Sequence, residues 1–232
     1  MKLWLVLLFT SATLLTAQET PLTVGVEDML RQARQEIANF EQAGGSKDAP
    51  GHPVVKWTRE LWKWRDTSPG SPDATRATSE AVRLLVLADR FTEVHASADQ
   101  IPPDDPAWQG VAPLLFISAS RQKDYTYLLA KLQSVFDQAR DPKTRAALQF
   151  NLGRGWRARN DEAKAKTAFR SAMELAADSP AGKQAQAQLY ELLHLGIGRP
   201  APSFSTTALG GAHLSLADYR GKPLVLVFWG TY

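Results

Sequence analysis

The feature that most constrains this chain is a rhythm of paired, helix-length stretches. Ala77 to Asp89 is one stretch and Phe91 to Ile101 its partner. Pro102-Pro103-Asp104-Asp105-Pro106 intervenes. Ala107 to Ser120 and Tyr125 to Ala139 form the next pair, and Asp141-Pro142 punctuates again. Lys143 to Ala158 and Asp161 to Ala177 form a third pair, closed by Pro180. Proline and short polar breaks separate helices because the ring removes a backbone donor. Helix pairs recurring at about 30 to 40 residues signal a helical repeat array, in which each hairpin buries its apolar face against its neighbours. Gly182 to Leu195, with Ala185, Leu189 and Leu192 or Leu193 inward, reads as a closing helix that caps the array.

The last pair is the most specific. Leu152-Gly153 is followed by Trp156, and Ala165, Phe169 and Ala172 follow on the second helix. This pattern resembles a tetratricopeptide repeat. Gly153 and Ala165 let two helices approach, and Phe169 fills the space beside them. Ala177 departs from the usual proline, which comes later as Pro180. The two earlier pairs match only loosely, as degenerate copies. The resemblance implies an α-helical repeat domain over residues 18–195 that binds a protein or peptide.

Upstream, Glu27 to Ala43 is expected to be helical. Met29, Ala33, Ile37 and Phe40 recur at helical spacing, and Gly44-Gly45 ends the stretch as a left-handed cap. Val54, Trp57, Leu61 and Trp64 form a second stripe, with Lys56, Arg59, Lys63 and Arg65 among three tryptophans. Basic residues interleaved with aromatics can bind single-stranded nucleic acid or lie on a membrane. An amphipathic helix with a packed aromatic seam and a solvated basic face is the plainer reading, and no nucleic-acid partner is expected. Trp62, off the seam, keeps the other reading open. Thr67 to Asp73 is a Pro/Gly/Ser loop between helical pairs.

At 232 residues and 44% apolar content, the chain can bury a sizeable core in one or two domains. A net charge of +3 points to no particular partner. The first 17 residues read as a signal peptide: Lys2, an apolar run from Leu3 to Leu15, then a cleavage point at Thr16-Ala17-Gln18. That implies a periplasmic or secreted protein, with membrane contact only through an uncleaved leader. The chain has no cysteine, which excludes disulfides and thiolate metal sites within these residues.

The last stretch carries the functional signal. Pro200 and Pro202 bracket an extended lead-in, and Leu209-Gly210-Gly211 is a turn. Leu214 and Leu216 alternate across a short strand, and Asp218 to Pro223 is a second turn. Leu224 to Trp229 is a continuous apolar run, as expected for a strand buried on both faces. In order, Gly198, Ala201, Pro202 and Phe204, then Asp218 to Lys222, then Leu226 to Trp229, and finally Gly230, Thr231 and Tyr232 resemble the opening of the thioredoxin-like family of periplasmic thiol-disulfide oxidoreductases, and of the peroxiredoxin-related redoxins close to it. The match covers about 35 residues.

The resemblance implies that residues 196–232 are the N-terminal fragment of a thioredoxin-like α/β domain. The family's C-x-x-C nucleophile is expected after Tyr232. Such a thiolate sits at a helix N-terminus after a central strand, where the helix dipole and free amides lower its pKa. Without it the 232 residues are expected to have no thiol activity. An error in the gene boundary, a natural loss, and a UGA codon decoded as selenocysteine all fit the position of the ending. The overall expectation is a mainly α chain: a helical-hairpin, tetratricopeptide-like domain followed by an incomplete thioredoxin-fold fragment. Its function is an exported thiol-disulfide oxidoreductase; the rival reading is a non-catalytic scaffold for protein–protein interaction.

Other candidates are weak. His52, His95, His194 and His213 lack metal-ligand spacing and read as surface or half-buried side chains. Asp104-Asp105 reads as a solvated loop rather than a cation site. Gly196-Ile197-Gly198 follows a helix, and Pro200 interrupts it, so it is not a dinucleotide loop. No catalytic, cofactor-binding or metal residue is assigned within the chain, and no cofactor is expected.

Overall fold

A computed structural model describes residues 25–196, 198–227 and 230. The expected signal peptide and four residues of the closing stretch (Phe228, Trp229, Thr231 and Tyr232) lie outside the described residues. Among those described, the chain is mainly helical, with nine α-helices and one two-stranded sheet. The helices are α1 Val26–Gln42, α2 Pro53–Thr67, α3 Pro72–Leu87, α4 Phe91–Asp99, α5 Trp108–Gln122, α6 Thr126–Phe136, α7 Pro142–Ala158, α8 Glu162–Ala176 and α9 Pro180–His194. No described helix is long and apolar enough to cross a membrane.

Several of the prolines read as breaks turn out to start helices. Pro53, Pro72, Pro142 and Pro180 each stand in the first turn, where a missing N–H costs nothing. The residue before each one caps the helix. Ser71 accepts from the Ala74 amide at 3.0 Å, Asp141 from Thr144 at 2.7 Å, and Ser179 from Gly182 at 3.0 Å. This moves one boundary: α3 begins at Pro72, inside the stretch expected to be a loop, rather than at Ala77. The Ser71-Pro72 cap and a first turn buried through Ala74 account for the extra turn.

The odd-numbered helices α1, α3, α5 and α7 all end in one way. A left-handed residue follows each: Gly44, Asp89, Lys123 and Asn160, with φ of 82°, 56°, 55° and 60°. The next amide then bonds five residues back. Gly45 donates to the Phe40 carbonyl, Arg90 to Leu85, Asp124 to Ala119 and Asp161 to Trp156, at 2.9 to 3.1 Å. These are four Schellman turns, each reversing the chain into the next helix. Side chains tie the first three together. Arg90 donates to the Asp48 and Ala49 carbonyls, and Arg121 to the Val86 carbonyl and the Asp89 carboxylate. Lys47 pairs with the same Asp89.

Packing follows from this reversal. Consecutive helices touch, and the odd helices also touch in series, α1 to α3, α3 to α5, α5 to α7 and α7 to α9. Two apolar clusters result. One runs from Val26 in α1 through Leu152 in α7 to Ala168 in α8 and includes the fully buried Trp108. The other joins α7, α8 and α9 around Phe169. Trp156 packs against both. Helix α7 is the wall between them, so Ala146 to Gly153 is buried on every side. Gly153 makes room there: a methyl on it would stand 2.5 Å from the Phe169 ring, the close approach expected from the sequence.

Candidate functional site

The closing stretch folds into a short hairpin and a turn. Ser205–Thr207 (β1) pairs antiparallel with His213–Ser215 (β2), with Thr206 opposite Leu214. The turn between them passes through Gly211 at φ 84°. Leu216 is not on the strand, as expected from alternation, but opens a 3-10 turn over Leu216–Tyr219. Ser215 and Asp218 form a reciprocal cap there and draw the backbone out of the ladder. Asp218 to Lys222 does form the second turn, with Gly221 at φ 79°. Phe204 is half-buried, while Pro200 and Pro202 are exposed.

The expectation of a doubly buried strand from Leu224 is corrected for the described part. Leu224 to Val227 joins no ladder, and Val225 is 84% exposed. The reason is the lack of neighbours: the only sheet among the described residues is the β1–β2 hairpin, which does not reach this segment. No thiol stands anywhere in the chain, and the expected nucleophile position after Tyr232 lies outside it. Thiol–disulfide exchange therefore has no nucleophile among the described side chains of this segment. Ser205 Oγ and His213 Nε2 meet at 2.8 Å across the hairpin, both exposed.

The histidines divide sharply. His52, expected at or near the surface, is 1% exposed and caps α2 by accepting from the Val54 amide at 3.1 Å. Its Nε2 has no hydrogen-bond partner, and the nearest carboxylate, Glu41, is 4.0 Å away. Burial holds its pKa below the usual value. His95 stacks on Tyr127 with centroids 3.7 Å apart, and burial lowers its pKa also. His194 and His213 are exposed. Among the described residues no cluster of three metal-ligating side chains forms. Asp104 and Asp105 are tied to backbone amides, of Arg140 and Ala107 respectively.

The tryptophan-rich helix α2 is packed rather than presented. Trp57 is buried and donates to Glu36, while Trp62 and Trp64 are half-buried against the main core. Its basic side chains are largely matched: Lys56 with Glu36, Lys63 with Glu60, and Arg65 with Asp66.

The odd helices expose large apolar side chains, Leu87 at 57% and Ile117 at 39%. Beside Leu87, a groove of about 300 Å³ runs between α1 and α3, floored by Ile37 and Leu84 and edged by Arg34, Glu41 and Lys47. On α7, Arg154 lies over the Phe116 ring at 3.7 Å and donates to Asn151. It has no carboxylate partner among the described residues, and burial lowers its pKa. Sequence reading passed over this group; the signal was there in an arginine directly after the buried Leu152-Gly153 pair. No family model, no curated protein and no solved structure matches the chain.

Proposed function

We propose that the helical domain is a tetratricopeptide-like scaffold that holds a protein or peptide, and that it serves an exported thiol-disulfide oxidoreductase whose thioredoxin-like domain opens at residue 196. The observation that carries the scaffold half is the fourfold recurrence of the Schellman reversal after α1, α3, α5 and α7. Identical reversals stack hairpins in one sense and leave the odd helices as a continuous face. Exposed Leu87 and Ile117, with Arg154 nearby, suit a partner that brings apolar side chains and an acidic group.

The redox half is supported by the order of the lead-in, hairpin and turn in residues 198–222. It requires a thiol or selenol supplied by residues beyond Tyr232, because none lies in the 232 residues. A non-catalytic scaffold is the second reading. Reading the coding DNA beyond codon 232 separates the two. An in-frame cysteine codon or UGA, followed by the remainder of a thioredoxin fold, supports the oxidoreductase. An immediate UAA or UAG with no continuation removes the redox half and leaves the scaffold.

A further inference from the structure

Three groups on the odd helices stand in a row. Leu87 on α3 and Ile117 on α5 are exposed, and Arg154 on α7 lies over the ring of Phe116, the neighbour of Ile117. Contacts fix their level along the helices. Arg121, one turn beyond Ile117, donates to the Val86 carbonyl beside Leu87. Ile117 and Leu87 therefore lie within about a turn of each other, and Arg154 is level with Phe116. Because α3 touches α5 and α5 touches α7, the row crosses three neighbouring helices.

Arg154 is the uncommitted charge of this row. Along α3 and α5, Arg76 pairs with Glu27, Arg83 with Glu80 and Arg121 with Asp89. Arg154 is half-buried and has no carboxylate partner among the described residues. It is nevertheless held in place. Phe116 covers its plane at 3.7 Å, and it donates to Oδ1 of the buried Asn151 at 3.0 Å. Asn151 in turn donates to the Ala147 carbonyl. A fixed cation partly out of water, with no counter-charge of its own, favours a carboxylate brought by a partner.

The spacing of the row states what else that partner carries. Packed helices stand about 8–10 Å apart. A β-strand repeats a side chain on one face at about 6.6 Å, then at about 13 Å. A polyproline II helix repeats every third residue, at about 9.3 Å. Of the two extended conformations, only the second keeps pace with the helices. We propose that the face of the odd helices holds a polyproline II segment with apolar side chains at i and i+3 and a carboxylate at i+6, read in either chain direction. The first apolar side chain enters the groove beside Leu87, the second lies on Ile117, and the carboxylate meets Arg154. The proposal rests on the scaffold reading above and adds its partner's conformation and spacing.

The test uses the full chain and end-capped, fluorescein-labelled peptides, with binding followed by anisotropy. The probes carry Leu-Pro-Pro-Leu-Pro-Pro-Glu and its reverse. One comparator has the two leucines and the glutamate at every second position; another is an alanine-rich helix with them seven apart. Saturable binding of a polyproline probe is expected, with both comparators weaker. Replacing its glutamate by glutamine should weaken binding about three- to fivefold, the strength of one exposed ion pair. Arg154→Gln removes that preference, and Arg154→Lys, which keeps the charge, restores most of it. Leu87→Ser and Ile117→Ser weaken the probe without lowering the melting temperature, because both side chains are exposed. A comparator that binds as well, and still responds to Arg154→Gln, overturns the proposal and leaves the scaffold reading standing. A glutamate preference unchanged in Arg154→Gln also overturns it. No saturable binding of any peptide overturns it and takes the face of the odd helices out of the scaffold reading.

Discussion

At Gly153 a methyl group would meet the Phe169 ring edge at 2.5 Å, and Phe169 is fully buried with nowhere to retreat. Gly153→Ala is therefore expected to destabilise the chain by about 1–3 kcal/mol through overpacking, despite alanine's better helix propensity. Gly155 is the internal control. Its added methyl would meet the Cδ2 tips of Leu129 at 2.9 Å and Leu128 at 3.1 Å, flexible ends that stand farther off than the Phe169 ring, so Gly155→Ala should cost less than Gly153→Ala. Urea midpoints of the two variants check this, and equal losses would count against the close-packing account. His52 gives a second residue-level prediction. Its folded pKa lies below the ordinary 6.5, because burial disfavours the imidazolium. Arg90 and Lys47 also disfavour the cation, and Glu41 favours it. The folded state thus binds fewer protons than the unfolded one. Stability is full above about pH 6.5 and falls as pH drops toward the folded value. Asparagine can cap α2 without titrating. His52→Asn should flatten the melting temperature between pH 7 and 5; an unchanged slope would assign the acid loss to other groups.

The αL turn is the unit at the scale of elements. Three of the four are built on non-glycine residues, which carry a Cβ into the left-handed region. Lys123 is exposed, so Lys123→Gly should relieve that strain and stabilise by about 0.5–1 kcal/mol. Asp89 has the same φ but also holds Lys47 and Arg121. Asp89→Gly should gain less than Lys123→Gly, or lose, because it unties two turns at once. Thermal unfolding of both variants in low and high salt discriminates: the deficit at Asp89 shrinks as salt screens its pairs. Much of this was legible in the sequence. Gly44-Gly45 signalled the first left-handed cap openly, and the Ser-Pro and Asp-Pro pairs signalled helix starts that were read as breaks. Asp89 and Asn160 gave a weaker signal, because short polar side chains tolerate the left-handed region, and Lys123 gave none.

Across the whole molecule, the helical array and the closing segment are joined with little shared burial. Residues 198–222 form a hairpin and turn of their own, and Leu224 to Val227 stays exposed. Ending the chain at Leu195, with its start unchanged, should move the melting temperature by less than about 4 °C, the shift of roughly 1 kcal/mol in a domain this size. The full chain should associate more readily as concentration rises, through an apolar, β-prone segment with unpaired edges. Sedimentation velocity on both forms measures this. Equal behaviour would show that the segment is covered in solution.

By itself, the sequence determined the helical class and the contact of Gly153 with Phe169, because these follow from apolar spacing and proline positions along one stretch of chain. It also carried the order of motifs behind the thioredoxin-like resemblance. Tertiary structure alone decided that His52 is buried, that Arg154 lies on Phe116 and that α7 separates two cores. Each of these depends on which distant helix comes to stand beside the residue. Local periodicity carries no record of that choice, since it is made when the reversals stack the hairpins.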